Sequence, residues 1–258
     1  MGHSLEHRSV IETNSVRSHI AAVYLSLAEQ ARSARVVRTD SMWTVESAID
    51  HPVGNLAIRL SVSNEDIRDL ARIARSNPNF RVHVLPGDRP FSLGAHLENE
   101  GLRQVYELSI LTIDERPPAA GVLVRCPDTE VAHLCAFIID NFLWTSPASL
   151  RAEVAAVCAR AANERTRFFR VDRGGQTVGA GCLIEASGVT GLYNICVSPG
   201  ERGQGLGTKI VADLCAFAPE DQPILLLSEQ ELVPWYRSMG FREIGRSAVY
   251  ASPRAHRR

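Results

Sequence analysis

A glycine-rich segment with one arginine occupies residues 197–208, which read VSPGERGQGLGT. Gly203, Gly205 and Gly207 stand at every second position after Arg202, directly before a segment with a helical pattern. Glycine loses more backbone entropy on folding than any other residue, so three in so short a space need a structural reason. The first N–H groups of a helix lack helical partners and lie at the positive end of its dipole, where anions bind. The segment therefore indicates a phosphate-binding loop, with Arg202 adding a positive charge at its rim.

Two common nucleotide-binding motifs do not fit this loop. A P-loop requires Lys and then Ser or Thr after its last glycine, whereas Gly207 is followed by Thr208 and then Lys209. The Rossmann fingerprint G-x-G-x-x-G follows the first strand of a βαβ unit. Here the glycines are spaced by two, and the strands before them are predicted to be antiparallel neighbours.

The elements that must position the loop are predicted from hydrophobic periodicity and turn residues. Two helices precede it, the first capped by Asp128-Thr129 and the second with Ser146 as N-cap and Pro147 at its first position. The predicted order is a strand at 121–125, these two helices, an antiparallel meander at 167–172, 176–186 and 189–197, the loop, a helix at 206–217, a buried strand at 223–228, a short helix at 233–239 and strands at 241–251. Because a helix connects them, the strands at 189–197 and 223–228 should run parallel.

The stretch V-x-P-x-x-R-G-x-G-x-G from Val197 to Gly207 resembles the pyrophosphate loop of the GNAT superfamily of acyl-CoA transferases. The resemblance implies that acetyl-CoA is the co-substrate and that no metal is needed. In that family the splayed end of the preceding strand also hydrogen-bonds the pantetheine arm and the thioester through its backbone. The coenzyme-binding positions that this implies are Ile195, Cys196, Val197, Arg202, Gly203, Gln204, Gly205, Leu206, Gly207 and Thr208.

A second segment, WYRSMGF at 235–241, resembles the family's L-Y-x-x-x-G-F signature. The resemblance implies that Tyr236 is the catalytic acid that protonates the departing coenzyme thiolate. A phenol of pKa about 10 stays protonated at neutral pH beside a thiol of pKa about 8.5. The chain departs from the family at Glu229, where many members have asparagine, and at Leu232, where they have alanine. The general base is not assigned, and its candidates are Glu185, Glu229 and an ordered water.

Composition narrows the class of protein. The formal charge of −1 gives no overall attraction to nucleic acid or membranes, and the N-terminus lacks the pattern of a secretory signal, so we expect a cytoplasmic protein. The six cysteines are not spaced as C-x-x-C and are interpreted as small buried hydrophobes, Cys196 among them. The histidines show no metal-ligand spacing, so no metal site is predicted.

The segment RPPAAG at 116–121 predicts a linker between two compact units. Residues 1–115 can be read as the same element order, 116–120 as the linker and 121–258 as the catalytic domain. The predicted fold class is α/β (α+β), with two GNAT-like domains that each have a mixed, mostly antiparallel twisted sheet flanked by helices. The first unit has LSVSNEDIRD in place of the glycine loop, and Glu65 and Asp66 would repel a pyrophosphate, which predicts a degenerate unit.

The hypothesis from the sequence is an N-acetyltransferase that transfers acetyl from acetyl-CoA to a primary amine of a small molecule by direct attack. Trp43, Phe142 and Trp144 are candidate walls of the acceptor pocket. A non-catalytic acyl-CoA sensor and an aminoacyl-tRNA-dependent transferase are the alternatives, and the neutral charge and intact loop argue against the second of these. We expect a monomer or a homodimer.

Overall fold

The computed structural model describes residues 11–253, and their eleven strands form one sheet in the order β1-β2-β3-β4-β11-β5-β10-β9-β8-β7-β6. The strands are β1 (Arg35–Arg38), β2 (Trp43–Glu46), β3 (Leu56–Ile58), β4 (Arg81–Val84), β5 (Arg103–Ile113), β6 (Val124–Arg125), β7 (Thr166–Arg173), β8 (Gln176–Ala186), β9 (Val189–Val197), β10 (Ile224–Ser228) and β11 (Arg242–Ala251). The helices are α1 (Thr13–Ala28), α2 (Asn64–Ser76), α3 (Leu93–Asn99), α4 (Val131–Phe142), α5 (Ala148–Ala161), α6 (Leu206–Phe217) and α7 (Val233–Ser238). The mixed, mostly antiparallel sheet of the expected fold class is confirmed.

The two halves of the chain repeat one topology. In each half three antiparallel strands lead through a helix to a parallel strand, then through a shorter helix to a long last strand. The meander β7-β8-β9 and the parallel pairing of β9 with β10 are as predicted. Arg59 after β3 and Asn194 in β9 both have positive φ, at 60° and 56°, so the repeat extends to a local backbone irregularity.

Each half places its last strand inside the sheet of the other. Strand β5 pairs with both β10 and β11, and β11 pairs with both β4 and β5. The β5–β11 register is itself symmetric, because Arg103 pairs with Ala251 and Thr112 with Arg242. The predicted division at residues 116–120 falls between β5 and β6 and stays a prediction, while backbone ladders cross between the halves along the length of β5.

Helices cover both faces of this sheet. Helices α1, α4 and α5 pack on one face, called here the α1 face, and α2, α3, α6 and α7 on the other, called the α6 face. The core under α6 contains Leu192, Ile210 and Leu226, whereas the core under α1 contains Ile20, Ile110 and Leu225. Successive strand residues thus alternate between the two cores.

The connection between the halves is anchored to α6. The guanidinium of Arg116 donates to the carbonyls that end this helix and follow it, at Cys215, Ala218, Pro219 and Gln222. These carbonyls have no helical donor of their own, so a cation suits them. The buried carboxylate of Asp213 accepts the N–H groups of residues 120–123 at 2.6–2.9 Å. The helix that begins at the glycine loop is therefore held at its far end.

Three predicted boundaries were wrong. Helix α4 begins at Val131, because residues 128–130 form a separate 3₁₀ turn, so Asp128-Thr129 does not cap it. Helix α5 begins at Ala148 with Pro147 at the N-cap, so Ser146 lies one residue outside. Strand β6 contains only Val124 and Arg125 instead of residues 121–125. The reason is that Asp213 takes the N–H groups before Val124, which leaves them unable to join a ladder.

Candidate active site

Strands β9 and β10 separate partway along their length. Their parallel pairing runs from Thr190 with Ile224 to Leu192 with Leu226 and ends there. A bulge then adds one residue to β9 opposite β8, because Tyr193 pairs with Cys182 but Cys196 pairs with Ala180. The positive φ of Asn194 lies in this bulge. The last residues of β9 therefore diverge from β10 and leave a cleft between the two strands.

The glycine-rich loop follows directly after the diverging end of β9. Gly203 and Gly205 both have φ of 76°, a left-handed conformation that side chains other than that of glycine rarely adopt. The bond from Lys209 N to Gly205 O, at 3.2 Å, opens the ladder of α6. Within the described chain the N–H groups of residues 203–208 make no hydrogen bond. This row of free donors at a helix N-terminus has the properties of an anion site.

The side chains of the loop are held mainly by neighbouring backbone. Arg202 donates through Nε to the carbonyl of Val197 at 3.0 Å, and Gln204 donates to the carbonyl of Gly200 at 3.2 Å. Thr208 accepts a hydrogen bond from the indole of Trp235 at 3.2 Å. The Trp235 ring also lies over Gly207, where an added Cβ would be 3.4 Å from it. Trp235 was not among the predicted site residues, although it stands next to Tyr236.

Tyr236 lies in α7 on the α6 face and is buried against two aromatic rings. Its ring centroid is 4.6 Å from that of Trp235 and 5.6 Å from that of Phe241. Burial, and to a smaller extent Cys215, raises the pKa of Tyr236 to about 12, so its hydroxyl stays protonated at neutral pH. That hydroxyl has no hydrogen-bond partner among residues 11–253. A neutral donor without a partner is thus available, and its catalytic role stays a prediction.

The end of β9 presents its side chains to alternate faces. Ile195 and Val197 pack in the α6-face core, whereas Cys196 packs with α4 and α5 on the α1 face, as the alternation predicts. Burial raises the pKa of Cys196 to about 12, which leaves a thiol and not a nucleophilic thiolate. The six cysteines are free and mostly buried, as expected of small hydrophobes. Coenzyme contacts through the backbone of residues 195–197 stay a prediction.

The two side chains that are candidates for the general base, Glu185 and Glu229, lie at different distances from the cleft. Glu185 pairs with Thr190 near the start of β9 and is ion-paired with Arg167 at 2.8 Å, away from the diverging end. Glu229 follows the last residue of β10 and is exposed beside the cleft. Within the described ranges no three His, Cys, Asp or Glu side chains form a metal-ligand group.

Two of the three candidate pocket walls lie in solvent. Trp144 is 75% exposed and lines a shallow groove with Pro199 and Arg202, and Phe142 is also exposed. Trp43 stacks under the guanidinium of Arg59, whose carbon lies 4.9 Å from the ring centroid.

In the N-terminal half the equivalent cleft is closed. The carboxylate of Asp88 accepts hydrogen bonds from Leu60 N at 3.0 Å and Leu85 N at 2.8 Å, which joins the ends of β3 and β4. Arg17 of α1 completes the closure, donating to Asp88 at 2.6 Å and to the Leu60 carbonyl at 2.9 Å. Sequence reasoning missed this pair, because 71 positions separate the two residues and no local pattern links them.

The helix N-terminus of that half is closed as well. Ser63 and Asp66 form a capping box at the start of α2, with Asp66 N bonded to Ser63 Oγ at 3.2 Å and Ser63 N bonded to the Asp66 carboxylate at 2.8 Å. The chain's own carboxylate thus occupies the place where an anion would bind. The described chain therefore has one cleft beside free N–H donors and one cleft that its own side chains fill.

Comparison with known proteins shows which family this part of the chain resembles. Residues 145–252 match the family model described as an acetyltransferase (GNAT) domain. Among solved structures, a GCN5-related N-acetyltransferase from Kribbella flavida is similar with a TM-score of 0.65 and 14% identity, over 92% of this chain and 96% of that one. An acetyltransferase of the GNAT family from Novosphingobium aromaticivorans is similar with a TM-score of 0.56 and 14% identity, over 92% and 98%.

A glucosamine N-acetyltransferase region of a fungal multi-domain β-N-acetylglucosaminidase is also similar, with a TM-score of 0.56 and 14% identity, over 92% of this chain and 36% of that one. At such identities the structures show the fold alone. No curated protein sequence matches the chain. Residues 145–252 are thus similar to GNAT acetyltransferase domains, whose general activity is acyl transfer from acetyl-CoA. In the described part of the chain no helix is long and apolar enough to cross a bilayer.

Proposed function

We propose that the protein is an N-acetyltransferase that transfers the acetyl group of acetyl-CoA to a primary amine of a small molecule. The observation that carries the proposal is the row of free N–H groups at residues 203–208, where α6 begins beside the diverging end of β9. The pyrophosphate of the coenzyme is the anion that these donors fit, and the cleft between β9 and β10 leads from them toward Tyr236.

The proposed chemistry needs three contributions from the chain. The loop N–H groups bind the pyrophosphate, far from the reacting bond, so binding energy is used to position the thioester. The backbone of Ile195–Val197 hydrogen-bonds the pantetheine arm and polarises the thioester carbonyl. The amine nitrogen bonds to the carbonyl carbon, the C–S bond breaks, and one proton passes overall from nitrogen to sulfur, where the Tyr236 hydroxyl donates to the leaving thiolate.

The loop can be tested with a pair of substitutions that differ only in charge. Gly205 has a left-handed conformation that both Asp and Asn tolerate better than other side chains. Gly205→Asp places a carboxylate at the helix N-terminus, as Asp66 does in the other half, whereas Gly205→Asn has the same shape without charge. A carboxylate about 4 Å from a phosphate costs about 1–4 kcal/mol, depending on the dielectric. We expect Gly205→Asp to bind acetyl-CoA at least about five-fold more weakly than Gly205→Asn.

Isothermal titration calorimetry with acetyl-CoA measures this difference. Equal affinities for the two variants, or no binding by the wild-type protein, would contradict the proposed coenzyme site. Release of free thiol in the presence of a panel of primary amines then tests catalysis. Tight binding without thiol release for any amine would refute the transferase and leave a binding module.

A further inference from the structure

The α1 face carries a group of aromatic side chains whose polar atoms have no partner. Tyr24 of α1 and His83 of β4 are in ring contact, with centroids 4.8 Å apart. His83 and Tyr106 of β5 both pair with Val249 of β11, so the two side chains share this face on either side of that strand. Neither the hydroxyls of Tyr24 and Tyr106 nor the ring nitrogens of His83 make a hydrogen bond within the described chain.

These polar atoms are not completely sealed from solvent. Side-chain polar atoms that are both sealed from solvent and unbonded include Tyr193 OH and His19 Nε2, but none of Tyr24 or His83. His83 is nevertheless only 3% exposed, and Tyr106 is 43% exposed. Buried polar groups in native proteins nearly always have a partner. Three polar groups that share one face and have no partner therefore fit a bound molecule with hydrogen-bonding groups of its own.

Of these three residues, Tyr106 also lines a groove beside the proposed catalytic cleft. Tyr106, Leu108, Glu229 and Glu231 line this groove, which has a volume of about 730 Å³. Glu229 follows the end of β10, the strand that borders the cleft. The carboxylates of Glu229 and Glu231 have no cationic partner in the described chain. The part of the groove that Glu229 and Glu231 line, called here its mouth, is thus acidic. It adjoins the place where the amine must attack.

The three aromatic side chains, Tyr24, His83 and Tyr106, are uncharged at neutral pH. Burial lowers the pKa of His83 to about 3, with a smaller effect of Arg81 in the same direction, so the imidazole is neutral at neutral pH. Burial also raises the pKa of Tyr24 and of Tyr106. The nearby Arg81 is engaged by the carbonyls of Pro78 and Phe80 at 2.8 and 3.1 Å. Neutral phenols and an imidazole suit an uncharged polar or aromatic body, and their ring faces attract an ammonium group.

We infer that this groove is the acceptor site and that the N-terminal half builds most of it: Tyr24, His83 and Tyr106 hold the uncharged body of a small primary amine whose ammonium group enters past Glu229 and Glu231. This inference rests on the proposed acetyltransferase function. It also assigns a role to the half that has lost its own coenzyme cleft. Amines that carry carboxylates are disfavoured, because the acidic mouth repels them. The ammonium releases one proton to solvent before the neutral amine attacks.

Single-hydroxyl deletions test the inference with little risk to folding. Tyr24→Phe and Tyr106→Phe remove hydroxyls that have no partner among residues 11–253, and Tyr193→Phe is the matched control, because its unbonded hydroxyl is sealed from solvent. With tyramine and with glucosamine as acceptors and saturating acetyl-CoA, each of the first two variants should raise the KM for the amine about 2- to 12-fold. Their KM for acetyl-CoA and the kinetics of the control should not change.

Two further measurements address the substrate class. The wild-type protein should use tyramine or glucosamine with a kcat/KM at least ten-fold above that for L-glutamate. The KM for these cationic amines should rise with ionic strength, and a Glu229→Gln/Glu231→Gln double variant should lose that dependence.

Failure of the inference and of the proposed function look different. If the protein turns over and Tyr24→Phe and Tyr106→Phe have the same KM for the amine as Tyr193→Phe, the acceptor site alone is overturned. A preference for L-glutamate has the same consequence. Absence of thiol release by the wild-type protein with every amine overturns both.

Discussion

The Tyr236 hydroxyl offers the sharpest test of the mechanism, through the substitution Tyr236→Phe. The hydroxyl makes no hydrogen bond in the described chain, so its removal should not lower the melting temperature. If the phenol donates to the departing thiolate, its loss removes a hydrogen bond to a charged group, which is worth about 1.5–3 kcal/mol. That energy corresponds to a fall in kcat of about 10- to 150-fold.

The raised pKa of Tyr236 refines this expectation. An acid of pKa about 12 that transfers its proton to a thiolate of pKa about 8.5 does so uphill by about 3.5 units, or about 4.8 kcal/mol. Tyr236 should therefore act mainly as a hydrogen-bond donor while the C–S bond breaks, with the transfer completed as the thiol forms. Because the phenol stays protonated well above neutral pH, kcat should show no fall between pH 8 and 10 that depends on Tyr236.

The assay is thiol release at saturating acetyl-CoA and amine, with the Kd for acetyl-CoA from calorimetry. We expect the Kd to change less than about two-fold, because the proposed pyrophosphate donors are loop N–H groups that the substitution leaves in place. Tyr250→Phe is the control, since Tyr250 is a buried tyrosine on the same face of the sheet but in the core under α2 and α3. A kcat within two-fold of the wild-type value would refute the role of the hydroxyl. A fall in wild-type kcat near pH 8–9 that disappears in Tyr236→Phe would refute the argument from the pKa.

The other predictions concern stability. Asp213→Asn leaves at least two of the four N–H groups at residues 120–123 without an acceptor and should lower the free energy of unfolding by about 2–4 kcal/mol at pH 7, measured by urea denaturation. Burial raises the pKa of Asp213, but the four N–H groups outweigh burial and hold it below the ordinary value. The stabilisation is thus present above the unfolded pKa of about 3.9 and lost as the pH falls through the folded value, so the wild type and the variant should converge in acid; a constant difference would argue against it. Asp88→Ala leaves Arg17 and two strand N–H groups unpaired and should cost about 3–5 kcal/mol, while the coenzyme stoichiometry stays at one per chain; a loss below 1 kcal/mol would mean that the closure is not needed for stability.

The sequence by itself determined the features that depend on local backbone chemistry. Gly203 and Gly205 marked the loop because positive φ is costly for other residues, and both adopt it. Periodicity and turn residues predicted the meander β7-β8-β9, helix α6 and the parallel strand β10. Strand alternation also predicts that Cys196 lies on the opposite face of the sheet from Ile195 and Val197, although the bulge at Asn194 was not predicted.

Only the tertiary structure decided which distant segments meet. The patterns of β5 and β11 are equally compatible with two separate sheets and with the observed exchange, because a strand's hydrophobic alternation does not name its partner. The closure of one cleft by Arg17 and Asp88 joins residues far apart in the chain, and so does the meeting of Tyr24 with His83. Local conformation is limited by the steric and hydrogen-bonding properties of each residue, whereas long-range contacts depend on which pairing buries the most apolar surface without leaving polar groups unbonded.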